Sequence, residues 1–225
     1  MGEKYYKEKI LEYYKLSEEE FTAYCDKEEV LDKLWYETGE SDLSYYEKIE
    51  YVAIAYKCFL SYSKTFIKCL DKYFNGEKKG YLDFGAGIGL TTHMLSDLSK
   101  DSIIYYQNVE GEQKEFAKSI LKGKDNVKFD GFKDVDVILC SELFEHIKDP
   151  ISLLRELNSK YDPEYLVISN SFRSKAYGHY SEFYAEGENV SNLKIGRLFN
   201  KELRGLGYIK DKCFWNGRPT IWKKK

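Results

Sequence analysis

Proline is nearly missing from this chain: there are three in 225 residues, and none precedes Pro150. With only Gly2, Gly39, Gly76 and Gly80 to interrupt them, the first eighty residues are free to form long helices. Long apolar runs are missing too. No stretch approaches the roughly 20 apolar residues of a membrane span, and the opening M-G-E-K-Y-Y has no signal-peptide core. Gly2 lacks the Ser or Thr of a myristoylation signal, since Tyr6 and Lys7 hold that neighbourhood. Cys25, Cys58, Cys69, Cys140 and Cys213 are odd in number and have no metal-like pairing, so reduced thiols in a cytoplasmic protein are expected. Neither sign of charge dominates, the net being −3. That total hides an asymmetry. Ser191 to Lys225 carries ten Lys or Arg against Glu202 and Asp211, an excess of +8 that leaves −11 on the remainder. The acidic remainder argues against extended duplex nucleic acid as a partner, while the basic end could draw a small anionic one.

What is abundant is tyrosine, 21 in all, with nine between Tyr5 and Tyr51. Amphipathic helix faces that bury a ring and leave the hydroxyl wet account for most of these; a pocket lined by Tyr45, Tyr46 and Tyr51 is the sharper alternative. Leu11 to Phe21, Glu28 to Tyr36 and Ile49 to Leu70 show apolar residues at steps of three and four, which predicts helices. Gly39 to Leu43 is a break, and Asn75 to Gly80 a loop. Residues 1–79 therefore read as a helical cap, too rich in tyrosine and charge to own a large core, built on a second unit spanning 80–225.

That second unit opens on Y-L-D-F-G-A-G-I-G-L, Tyr81 to Leu90: an apolar strand, an acid, and glycines at every second position before a helix. Glycine permits positive φ and close approach of a ligand, so strand, turn and helix N-terminus face a nucleotide-like molecule. Gly85, Gly87 and Gly89 give G-x-G-x-G, and Leu90 holds the place of the third glycine of a dinucleotide fingerprint. With Asp83 just before the turn, a cationic, amino-acid-bearing ligand suits the loop better than a pyrophosphate. Ser102 to Val109 is a second strand, and Glu110 follows about 20 residues after the glycines, where an acid reaches ribose hydroxyls or simply starts the next helix. Val127 to Asp130, Val135 to Cys140 and Tyr165 to Ser169 are three more short strands, with a helix restarting at Pro150. Strands alternating with helices imply an open, mostly parallel sheet covered on both faces, its ligands outside the carboxyl ends of the strands, where Asp83, Glu110, Asp130 and Ser141 fall.

On these residues, Tyr81 to Ser169 resembles the Rossmann-like (class I) S-adenosylmethionine (SAM) methyltransferases, and the likeness continues more weakly to the C-terminus. It implies an α/β, doubly wound, mostly parallel seven-stranded sheet, its last strand (Arg218 to Lys223) antiparallel, behind an N-terminal helical cap that closes over substrate. It implies SAM as cofactor, S-adenosylhomocysteine as product, and Asp83, Gly85, Gly87, Gly89, Glu110 and Ser141 as cofactor contacts. Asp130 or Phe132 would meet the adenine. The stretch S-E-L-F-E-H-I-K-D-P is similar to the family segment beneath the methyl group.

Chemistry turns on that stretch. In a helical turn, Glu142, Glu145 and His146 fall at i, i+3 and i+4 and share one face. A divalent ion there, as in the similar E-x-x-E-H of small-RNA 2′-O-methyltransferases and ubiquinone-pathway O-methyltransferases, is one reading; a metal-free site with His146 as base is the preferred one. His179 is the second candidate base, and His93 belongs to the cofactor-side helix as a structural residue. The leading expectation is transfer of a methyl group to O or N of a small-molecule acceptor, phosphorylated or nucleotide-linked metabolites among them. An RNA-terminus 2′-O-methyltransferase and a non-catalytic SAM-fold subunit are the alternatives.

Overall fold

The computed structural model describes residues 3–41, 43–214 and 218–225. The five apolar runs become β1 (Gly80–Phe84), β2 (Ile103–Gln107), β3 (Val127–Lys128), β4 (Val137–Ser141) and β5 (Tyr165–Ser169). A separate hairpin, β6 (Glu182–Ala185) and β7 (Glu188–Ser191), precedes the last two strands, β8 (Tyr208–Cys213) and β9 (Thr220–Lys224). Seven strands form one sheet in the order β3-β2-β1-β4-β5-β9-β8, parallel from β3 to β5, with β9 antiparallel to both its neighbours.

Alternation along each central strand divides the core. Tyr81, Ile104, Tyr106, Val137 and Leu139 point to one face, and Leu82, Tyr105, Ile138 and Cys140 to the other, as a side-chain period of two requires. Both faces are covered, so β4 is buried along Val137–Cys140. The first face is packed by α1 (Glu3–Tyr14), α4 (Ile49–Phe74), α5 (Leu90–Leu98) and α6 (Glu112–Ile120); the second by α7 (Pro150–Tyr161) and α8 (Asn192–Gly205). The long α4 is a product of the missing prolines, and it buries Val52, Phe66 and Leu70 in one cluster with Leu90, Leu95 and Phe116. Residues 1–79 thus share a core with α5 and α6.

The single helix expected over Leu11 to Phe21 is two. Lys15 takes φ of 55°, and Ser17 starts α2 (Glu18–Cys25) with a capping box: its Oγ accepts from the Glu20 amide at 3.1 Å while Glu20 accepts from the Ser17 amide at 2.8 Å. Two satisfied orphan amides outweigh the continuing apolar periodicity. The third strand stops at Lys128, two residues short of the expected Asp130, and the second frees its end, Asn108 and Val109, into a loop. The hairpin, unread in the sequence, turns on Glu186 and Gly187, both at positive φ. After α3 (Glu28–Glu37) a short 3-10 turn at Ser44–Glu47 leads into α4. Among the described residues no helix is long and apolar enough to cross a membrane, and all five cysteines are free.

Strand order reverses at β1 and β4. Connections leave in opposite directions there, and the gap beyond their carboxyl ends is where such a sheet admits a ligand.

Candidate functional site

That gap is a cavity of about 490 Å³, within the size range of ligand pockets. Three loops wall it: the glycine turn after β1, Gln107 to Gln113 after β2, and Ser141 to Ile147 after β4. The N-terminal segment closes the fourth side with Leu43, Tyr46, Glu47, Tyr51, Ala55 and Phe59.

The glycine turn is tied to β2. The amides of Gly85 and Ala86 both donate to the Gln107 carbonyl, at 2.9 and 3.0 Å, and the Gly87 amide donates to Asn108 Oδ1 at 3.2 Å. Gly85 takes φ of 76°, which favours glycine, and a Cβ there would lie 2.6 Å from Cδ1 of the Leu143 side chain. Gly89 caps α5 at φ of 79°, and its missing Cβ would stand 3.0 Å from that of Ala117; it sets the approach of α5 to α6 and does not line the cavity. Asp83 is buried, accepts from Thr92 Oγ1 at 2.6 Å, and is pushed by burial up to about 6, with the Thr92 bond opposing.

Beyond β4, Glu142 stands at φ of 49° and receives hydroxyls from three directions: Tyr62 at 2.8 Å, Ser169 at 3.0 Å and Ser171 at 3.1 Å. Glu145 is fully buried; one carboxyl oxygen accepts from the Ser171 amide at 2.7 Å and the other has no partner. Burial, then the neighbouring Glu142, drives its pKa well above the usual carboxylate range. His146 ends the short turn Phe144–His146 and looks elsewhere: its Nδ1 is 2.9 Å from the Tyr46 hydroxyl, and its ring meets that of His179 edge to face at 4.5 Å. It opens on the cavity but is packed on its other sides. Burial, and then His179, push its pKa down to about 3, which keeps the imidazole neutral.

Of the residues read from the sequence, Asp83, Gly85, Gly87, Glu110, Ser141 and His146 meet at this one cavity. Glu110 stands on its rim with its side chain 79 % exposed and ion-paired to Lys114. Asp130 and Phe132 are not brought there: with β3 ending early, Asp130 is exposed, and Phe132 packs against Tyr105 and Tyr161 on the opposite face of the sheet. Glu142 and Glu145 meet at the Ser171 hydroxyl, 3.1 and 3.2 Å away, while His146 turns to Tyr46; among the described residues no group of three or more His, Cys, Asp or Glu side chains could hold a metal ion. His179 is the edge partner of His146, its own Nδ1 3.0 Å from the Ser174 carbonyl, and His93 is buried at 3.0 Å from the Tyr6 hydroxyl, joining α1 to α5. Unread in the sequence were Asn108, Tyr62 and Gln113. Asn108 follows β2 directly, and that position was the available signal.

An open α/β sheet with this strand order, a glycine turn at its switch point and an acid at the end of β1 defines a nucleotide-cofactor domain of the Rossmann-like kind. Residues 55–196 match the methyltransferase domain family, and the chain belongs to it, as a class I SAM-dependent methyltransferase. A relative is the mitochondrial ubiquinone biosynthesis O-methyltransferase of Saccharomyces cerevisiae, 31 % identical over 129 residues that make up 51 % of this chain and 39 % of the relative. This chain thus spans about two fifths of that protein. Among solved structures, magnesium protoporphyrin IX methyltransferase from Synechocystis PCC 6803, with bound SAH, is 14 % identical at a TM-score of 0.52, covering 74 % of this chain and 83 % of that one. The small RNA methyltransferase HEN1 is 19 % identical at 0.52, covering 74 % and 26 %, and the methyltransferase domain of bacterial CtHen1-CN 16 % at 0.51, covering 72 % and 97 %. These structures share the fold.

The cofactor of the family is SAM, and the residues fit it. The glycine turn leaves room for close approach, Asp83 offers a carboxylate to an ammonium group, and Asn108 has a buried amide nitrogen with no protein partner.

Proposed function

We propose that the protein transfers the methyl group of SAM to oxygen or nitrogen of a small molecule seated between Tyr46, Tyr51, Phe59 and His146. The observation that carries this reading is the continuity of one cavity from the glycine turn and Asp83 to Tyr46 and His146. SAM supplies an electrophilic methyl group: the acceptor's lone pair takes it, the carbon–sulfur pair stays on sulfur, and the acceptor gives up one proton.

Asp83, Gly85, Gly87, Asn108 and Glu110 would hold the cofactor, with Ser141 beneath its methionine end. His146 would orient the acceptor by accepting its hydrogen bond as a neutral imidazole; with its pKa pushed down to about 3 it is a weak base, and the acceptor's proton would pass to solvent. The N-terminal segment acts as the lid, its Tyr46 and Tyr51 packed ring to ring at 4.7 Å over the cavity. Excluding water and fixing the acceptor in line provide most of the acceleration. None of the ten basic residues of Ser191–Lys225 lines the cavity, so a phosphorylated acceptor finds no support there.

Calorimetric titration with S-adenosylhomocysteine and transfer of labelled methyl from SAM into a metabolite extract test the reading. Saturable binding with label in a small molecule is expected. Binding without transfer to any metabolite or RNA would favour a non-catalytic subunit, and label in RNA alone would move the acceptor to the nucleic acid class.

A further inference from the structure

The charges around the cavity say what kind of acceptor it takes, given the methyltransferase reading above. Its lining contains four carboxylates, Glu47, Asp83, Glu110 and Glu142, and no lysine or arginine. Two of the four are already engaged. Asp83 lies on the cofactor side with Thr92, and Glu110 is paired with Lys114. Of the other two, Glu47 stands against Gly111 on the β2 loop, its Cα 3.7 Å from where a Cβ on Gly111 would lie, and Glu142 is on the loop after β4. Glu47 is exposed at the mouth and pairs with no cation among the described residues. Glu142 is fixed by Tyr62, Ser169 and Ser171, three hydroxyls that orient a carboxylate without neutralising it. The nearest cation to it, Arg218 Nη1, is 4.0 Å away, belongs to a side chain 45 % exposed, and lies outside the lining.

Between these carboxylates the wall is apolar: Leu43, Phe59, Leu143 and Ile147, with the rings of Tyr46 and Tyr51. An anion placed there meets like charge in a site of low polarity, with Arg218, outside the lining, as the cation nearest to Glu142. A cation meets an oriented carboxylate and aromatic rings, the pairing by which proteins bind ammonium groups.

We infer that the acceptor carries a protonated amino group on an apolar, ring-sized body, with Glu142 as the residue that binds the ammonium and Glu47 guarding the mouth. The aromatic wall takes the body and His146 stands beside them.

The test uses the full chain saturated with S-adenosylhomocysteine and three probes of similar size, phenethylamine, 2-phenylethanol and phenylacetate, each titrated calorimetrically. Phenethylamine is expected to bind at least about tenfold tighter than the other two. Glu142→Gln should remove most of that preference and leave S-adenosylhomocysteine affinity within about twofold, which also shows that the variant is folded. Glu47→Gln, an exposed change with no burial to disturb, should weaken phenethylamine by a smaller factor of about two to three. Equal or tighter binding of the alcohol, tighter binding of the carboxylate (which would point to Arg218), absent amine binding, or an amine preference surviving in Glu142→Gln would each overturn the proposal. If S-adenosylhomocysteine itself does not bind, the methyltransferase reading falls first; if it binds and the amine is not preferred, only the acceptor class falls.

Discussion

The hydroxyl of Tyr46 lies 2.9 Å from Nδ1 of His146, joining two residues one hundred positions apart at the wall of one cavity. The two partners come from opposite halves of the molecule. Tyr46 sits on the 3-10 turn before α4, and His146 on the loop after β4. Tyr46 is also hydrogen-bonded to Tyr51, and burial raises its own ionisation well above the usual range, so it stays a neutral phenol. When its proton goes to Tyr51, its oxygen is free to accept from Nδ1–H of His146.

Removing that hydroxyl should therefore unsettle the imidazole and little else. Tyr46→Phe is expected to lower kcat roughly tenfold, with S-adenosylhomocysteine affinity unchanged, because an unpositioned imidazole costs acceptor orientation and not cofactor contacts. The ¹⁵N shifts of the His146 ring should change toward a mixture of tautomers. A variant with wild-type kcat and unaltered imidazole shifts would show that the bond is incidental.

Gly178 guards the same contact. A Cβ there would stand 2.0 Å from the Tyr46 hydroxyl and 2.7 Å from His146 Nδ1, and its φ of 78° suits glycine alone. Gly178→Ala should cost on the order of 1–3 kcal/mol of stability and push Tyr46 off His146. Most of the clash is with one oxygen, so the double variant Gly178→Ala, Tyr46→Phe should recover part of the loss. Urea unfolding of both singles and the double makes the cycle. Strictly additive costs would rule out the steric coupling.

How much of this was legible beforehand follows from where the information lies. The sheet was, because β1, β4 and β5 are short continuous apolar runs between turn residues, which need no partner to be seen. The glycine turn was, because its spacing is local. Ser17 and Glu20 also form a local signal, masked by apolar residues that recur on both sides of the break. Of the pocket read at Tyr45, Tyr46 and Tyr51, Tyr46 and Tyr51 line the cavity and Tyr45 does not; Gly178 and Tyr62 were out of reach, since each matters through a distant residue that tertiary packing brings to it. Glu142, Glu145 and His146 illustrate the converse: a helical spacing brings all three side chains together only if the backbone stays helical, and with Glu142 left-handed the two carboxylates meet at Ser171 while His146 turns to Tyr46.

Asp83 gives a pH signature. Its folded pKa is raised from 3.8 to about 6, so the folded protein favours the protonated form; the associated stability is complete below about 3.8 and is lost as pH rises through about 6. Above that, the ionised carboxylate is a burden of about 3 kcal/mol on the apo protein, an order-of-magnitude figure from the two-unit shift. Asp83→Asn should stabilise the apo protein at pH 8 and leave it nearly unchanged at pH 3.5. The same variant should weaken S-adenosylhomocysteine at pH 8, and wild-type affinity should fall as pH drops below 6, because the protonated acid no longer faces the ligand's ammonium. A flat affinity between pH 5 and 8 would remove Asp83 from the cofactor site.

The histidines work in the opposite direction. His93, buried against Tyr6, is pushed by burial from 6.5 down to about 4, and His146 to about 3, with His179 also lowered. Each must be neutral in the folded state but is free to take a proton when unfolded. Their contribution is present above about 6.5 and is lost as pH falls through the folded values. For His93 alone this is about 3 kcal/mol once pH has fallen below 4, a rough value from its shift. Unfolding free energy should therefore decline between pH 6.5 and 4, partly offset over the same span by Asp83. His93→Gln, which keeps a polar side chain near Tyr6 without a proton to gain, should start less stable at pH 8 and lose less on acidification. If wild type and His93→Gln decline in parallel from pH 7 to 4.5, the buried imidazole is not what couples this fold to protons.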